Sequence, residues 1–157
     1  MTTQVVSANI EPTFLATLAT LSGVQTLQNK TLRGAREYAN YVGTGASGTL
    51  GIPATSPITY YTANATGNFV INITGVSTLT AMAYGETITI CVLVTNGTTA
   101  YYMTGLQVDG SAVTPKYQGA APSGGTVSGV DSYCITIMKD YSGSYFYRAL
   151  ASQTSFV

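Results

Sequence analysis

GETITICVLVTNGTTAYYMTGLQVDGSAV, residues 85–113, reads as two successive β-hairpins. Thr87 to Thr95 is rich in β-branched residues and ends at Asn96-Gly97. That dipeptide is a strong two-residue turn signal because both residues accept positive φ. Thr98 to Thr104 would return as the second strand, carrying Tyr101 and Tyr102. After Gly105, Leu106 to Val108 runs into Asp109-Gly110, a second turn of the same kind. Within the first strand Ile88, Ile90, Val92 and Val94 share one face, and Thr87, Thr89, Cys91 and Leu93 the other. The second face is partly apolar, which predicts a central strand covered on both sides.

The segments on either side continue the pattern. Ile58 to Ala63 and Asn68 to Thr74 read as strands around a turn at Asn64 to Gly67, with Phe69, Ile71 and Ile73 alternating against Val70 and Asn72. Beyond a Pro- and Gly-rich loop (Pro115, Pro122, Gly124, Gly125), Asp131 to Lys139 alternates Tyr133, Ile135 and Ile137 with Cys134, Thr136 and Met138. Tyr145 to Ser152 is the last strand. At least six strands on short loops predict a single β-sandwich, jelly-roll-like, over residues 57–157. No internal repeat is evident.

Residues 1–56 read differently. Phe14, Leu18 and Leu21 fall at i, i+4 and i+7 with Leu15 beside them. Asn9 and Pro12 suit the start of a short helix and Gly23 its end. Leu27 and Leu32 are spaced through a polar run. Tyr38 to Pro57 is Gly-, Thr- and Pro-rich and reads as a linker or extended arm. This segment carries too few apolar residues to offset its own ordering entropy, so it is expected to attach the chain to other molecules. The candidate interface residues are Phe14, Leu15, Leu18, Leu21, Leu27, Leu32, Tyr38 and Tyr41.

Composition excludes several functions. Six basic and six acidic residues cancel, and only 8% of residues are charged, against about 25% in ordinary domains. With no basic excess, nucleic-acid binding is disfavoured. Nothing approaches the roughly 18 apolar residues of a membrane span, and the opening residues carry no export signal. Histidine is absent, which removes the usual general base and the usual nucleophile partner. No catalytic, cofactor or metal set is expected, and an enzyme is not.

The remaining motifs have plain explanations. Gly43-x-Gly45-x-x-Gly48 matches a dinucleotide fingerprint, but the following Leu-Gly-Ile-Pro cannot open the helix that fingerprint requires. The sequons at Asn29, Asn64, Asn72 and Asn96 are accidents of composition when no export is expected. Asp109 suits a turn and Asp131 a strand start, so neither suggests a glycosidase pair. Cys91 and Cys134 read as buried reduced thiols; a bridge between adjacent strands is compatible with their placement but not deducible from it. The 12 tyrosines read as core and subunit-contact residues, with sugar stacking as the alternative.

Two portions resemble known proteins. TLQNKTLRG (residues 26–34) resembles a segment recurring in structural proteins of tailed bacteriophages. ETITICVLVTNGTTAYYMTGLQVDGSAVTPKYQGAAPSGG and DSYCITIMKDYSGSYFYRALASQTSF are similar to a domain of cyanophage-like virion proteins, whose pattern favours tryptophan where Tyr117 stands. The resemblance implies a non-enzymatic virion protein, assembled in the bacterial cytoplasm in many copies. It implies a capsid cement or decoration protein, homotrimeric, anchored to the major capsid protein by its N-terminal arm and projecting its β-domain. The alternatives are a tail-fibre or baseplate component docking to tail proteins, or an adhesin domain binding a host surface glycan.

Overall fold

The computed structural model describes residues 37–76, 84–139 and 147–157. The chain divides between Ala35 and Arg36, and the description concerns the second unit. It is mainly β, with no helix among the described residues. The expected N-terminal helix, with Phe14, Leu15, Leu18 and Leu21, lies outside the described residues, as do Leu27 and Leu32.

Ten strands run in order: β1 (Ala39–Gly45), β2 (Gly48–Pro53), β3 (Ile58–Ala63), β4 (Phe69–Thr74), β5 (Thr87–Thr95), β6 (Met103–Val108), β7 (Ser111–Val113), β8 (Lys116–Tyr117), β9 (Val130–Lys139) and β10 (Tyr147–Phe156). They form a six-stranded sheet ordered β1-β3-β5-β9-β10-β8 and a four-stranded sheet ordered β2-β4-β6-β7. The first six strands alternate between the sheets, and their neighbours within each sheet are parallel. The chain therefore winds three times, laying one strand in each sheet per turn. Antiparallel strands follow: β7 on β6, β9 on β5, and β10 on β9. This corrects the jelly-roll ordering, which is built from antiparallel Greek keys.

Two further expectations are overturned. Tyr38 to Pro57 is not a linker; it holds β1 and β2, the first turn of the winding. Its Ala46, Leu50 and Ile52 are buried. The expected hairpin at Asn96-Gly97 does not form either. Neither residue takes the left-handed φ a type I′ turn requires, and the chain passes there from one sheet to the other. The hairpin at Asp109-Gly110 does form: φ is 47° and 82°, and Val108 pairs with Ser111.

One cluster of inward residues joins the two sheets. In the smaller sheet the turns stack in register as Gly48–Phe69–Met103, Leu50–Ile71–Leu106 and Ile52–Ile73–Val108. In the larger sheet Ile90, Val92 and Val94 face inward beside Tyr133, Ile135 and Ile137, as their alternation predicts. Phe69 meets Tyr133 edge-on across the core at 5.5 Å. Each such buried side chain contributes about 1.5–3 kcal/mol of transfer free energy. The outward face of β5 is not covered as expected: Thr89 is exposed, and Cys91 and Leu93 are half-buried.

Candidate functional site: the outer face of the larger sheet and the node beneath it

The outer face of the larger sheet follows from register. Tyr41, Tyr60 and Leu93 form one row across β1, β3 and β5; Ile58, Cys91 and Cys134 form the next across β3, β5 and β9. Tyr41 and Tyr60 stack at a tilt, centroids 5.9 Å apart. The Tyr60 hydroxyl accepts from Thr95 Oγ1 at 3.2 Å. Thr89 and Thr136 join their hydroxyls at 2.9 Å. The Tyr41 and Cys91 rows carry no charge from β1 to β9, while the Thr89–Thr136 row continues through Leu150 to Lys116 on β8. Long tyrosines beside aliphatic and hydroxyl groups make a contact surface, or a platform for a sugar ring.

Cys91 and Cys134 form a disulfide, which corrects the reading of reduced thiols. They are directly opposed in the antiparallel pair, with Cα atoms 4.3 Å apart. That is the close spacing of a non-hydrogen-bonded pair, which brings two side chains on one face together. The bridge ties the last turn of the winding to the antiparallel strands. Beside it a groove of about 340 Å³ is lined by Lys116, Tyr117, Thr136, Leu150 and Ser152. Burial raises the pKa of the Tyr117 hydroxyl.

A polar node holds the edge of this face. The Asp131 carboxylate is fully buried. Its Oδ2 accepts from Asn96 Nδ2 at 2.9 Å and Thr126 N at 2.8 Å. Its Oδ1 accepts from Thr126 Oγ1 at 2.7 Å and Ser155 Oγ at 2.9 Å. Asn96 Oδ1 accepts from Tyr101 N at 3.0 Å, and its Nδ2 also reaches Tyr101 O at 3.2 Å. Asn96 thus takes up the backbone groups of the crossover between sheets. The node joins β5, the 118–129 loop, β9 and β10. Next to it, burial pushes the Tyr133 pKa far up; the Asp131 charge adds to this, and the Met103 main chain offsets part of it.

The other candidate residues are dispersed. Asp109 Oδ1 accepts from Gly75 N at 2.6 Å, a turn role. Asn72 accepts from Gly110 N at 3.0 Å. Gly43 and Gly45 lie in β1 and Gly48 starts β2, so no helix receives a phosphate there. A Cβ on Gly45 would collide with the Asn64 carbonyl oxygen, which is why glycine is needed where two turns of the winding touch. Among the described residues no three His, Cys, Asp or Glu side chains are grouped to hold a metal. Of the candidate interface residues, Tyr38 and Tyr41 stand at the first turn, 90% and 70% exposed.

Comparison with protein families, with characterised proteins and with solved structures finds no match to this chain.

Proposed function

We propose that this chain is a non-enzymatic structural protein of a tailed-phage virion, a capsid decoration or cement protein. Its N-terminal segment, ending near Ala35, anchors it to the major capsid protein, and the described body projects as a two-layer β-sandwich. The reading starts from the resemblance of residues 86–125 and 131–156, the stretch that forms β5 to β10; the observation that carries it is the Tyr41–Tyr60–Leu93 row on the outer face, a contact surface with Tyr41 exposed. Two physical features support it. Across β1, β3, β5 and β9 the outer face is built of hydroxyls, tyrosines and aliphatic groups, with its lysine, Lys116, on β8 at the far edge, as suits contact with neighbouring proteins. The disulfide suits a protein that works outside the reducing cytoplasm, virion surfaces included.

The test is attachment. Particles lacking the protein are mixed with the full chain or with a chain lacking residues 1–35. The full chain should bind and the shortened one should remain free while keeping its β spectrum. Binding by the shortened chain would show that the anchor lies elsewhere.

The Tyr41–Tyr60 stack and the groove beside Tyr117 favour a second reading, a glycan-binding adhesin or fibre domain. That reading requires glycan-array binding that Tyr41→Ala or Tyr117→Ala abolishes.

A further inference from the structure

The outer-face row that holds the disulfide is asymmetric. It runs Ile58–Cys91–Cys134–Ser152 across β3, β5, β9 and β10. Cys91 therefore has a branched aliphatic neighbour, and Cys134 a small hydroxyl. The groove of about 340 Å³ opens on the Ser152 side. Cys134, Thr136, Leu150 and Ser152 line it with Lys116 and Gln118 at the β8 edge, and Cys91 takes no part. Both cysteines are half-buried, and Ser132 places a hydroxyl 4.0 Å from Cys134 Sγ. A disulfide exchanges when a thiolate attacks one sulfur, in line with the bond and opposite the sulfur that leaves, and access decides which sulfur is attacked. Attack on Cys134 comes over Ser152, through the groove. Attack on Cys91 has to come past Ile58.

We infer that the Cys91–Cys134 bridge opens and closes in the folded protein by exchange with low-molecular-weight thiols and disulfides, with Cys134 as the sulfur attacked and the groove as the way in. In opening, a small thiolate bonds to Cys134 Sγ, the Cys91–Cys134 bond breaks, and Cys91 leaves as a thiolate that takes a proton from water. A second small thiolate then attacks the small-molecule sulfur of the mixed disulfide and releases Cys134. The bridge is reduced to two thiols, and two small thiols are oxidised to one disulfide. Closing is the reverse: a small disulfide caps Cys134, and the Cys91 thiolate displaces the cap.

Two features make exchange possible without unfolding. β5 pairs with β9 unbroken from Thr87–Met138 to Thr95–Val130, so the ladder holds the two cysteines opposed whether or not they are bonded. The pair also lies on the outer face, away from the cluster that joins the sheets, so opening the bridge leaves the core packed. Among the residues lining the groove Lys116 alone is charged, so an anionic thiolate approaches a cation. Exchange of this kind lets the chain fold with reduced cysteines and gain the bridge on reaching an oxidising medium. This inference is independent of the virion reading.

The experiment follows cysteine state in the full chain by mass spectrometry after acid quenching and alkylation. The oxidised wild type, in excess dithiothreitol without denaturant, should lose its bridge at a rate proportional to dithiothreitol and unchanged by low urea. Ser152→Phe, which keeps the bridge but fills the approach, should slow that loss about tenfold or more, with unchanged circular dichroism. In Cys91→Ser, glutathione disulfide should cap Cys134 about tenfold or more faster than it caps Cys91 in Cys134→Ser. The Ser152→Phe comparison stands even if the serine variants fold poorly, because both of its proteins carry the bridge. A reduction rate independent of dithiothreitol and rising with urea, indifference to Ser152→Phe, or capping of Cys91 as fast as Cys134 would each overturn the inference.

Discussion

Breaking the Cys91–Cys134 bridge tests how the winding is fastened to the strands that follow it. The bridge closes a loop with a sequence separation of 43. In the chain-entropy treatment, closing a loop of that length removes about 4 kcal/mol of freedom from the unfolded chain at 25 °C. Both cysteines are half-buried on the outer face, so serine hydroxyls placed there can reach water and add little penalty of their own. The double variant Cys91→Ser/Cys134→Ser is therefore expected to unfold about 3–4 kcal/mol more easily than the oxidised protein. Its midpoint should fall by on the order of 10 °C. The wild type reduced by a phosphine should match the variant. Urea titrations followed by far-ultraviolet circular dichroism measure all three, and thiol titration checks the redox state of each. If the oxidised, reduced and serine proteins unfold at the same denaturant concentration, the entropic reasoning fails. If the oxidised sample still titrates two thiols, the bridge itself is refuted.

Other outcomes follow from the same architecture. Asp131→Ala removes four hydrogen bonds to a buried carboxylate and should destabilise by about 3–5 kcal/mol. Asn96→Ala in the same background should then cost about 1 kcal/mol less than it does alone, measured as a double-mutant cycle. Deleting residues 1–35 should leave the described body folded. Deleting residues 1–56 removes Ala46, Leu50 and Ile52 from the core and should leave a chain without a cooperative melting transition. Tyr133 carries a raised pKa, so the folded protein keeps a phenol proton that the unfolded chain releases near pH 10. Its contribution is complete below pH 10 and is lost as pH rises beyond it. Tyr133→Phe should reduce that alkaline decline and change neutral stability by less than about 1 kcal/mol, since its hydroxyl has no hydrogen-bond partner of good geometry.

Much of the strand content was legible because burial imposes a period of two. Phe69, Ile71 and Ile73, Ile90, Val92 and Val94, and Tyr133, Ile135 and Ile137 all face the core as their spacing predicts. The Asp109-Gly110 hairpin was legible because its turn is local. Connectivity was not. Asn96-Gly97 carries the same local signal, but Asn96 spends its side chain on Tyr101 and Asp131, and that tertiary demand overrides the turn. The first turn of the winding was hidden by composition. Glycines that read as flexibility serve close approach, as at Gly45 against Asn64. A signal was present there: Ala46-Ser-Gly48 and Ala65-Thr-Gly67 repeat at corresponding corners, and both alanines are buried. The site was less legible. Tyr41 was singled out, but its partner Tyr60 depended on parallel register. The disulfide depended on the β5–β9 alignment, which no spacing in the sequence prescribes.

The most direct measurement is the number of copies of this chain in purified phage particles, by quantitative mass spectrometry against the major capsid protein. A decoration protein that repeats with the capsid's symmetry is expected at a fixed stoichiometry comparable to the capsid protein. A few copies per particle would move it to the tail. Particles that are complete and infectious without it, and that never contain it, would contradict a virion role altogether.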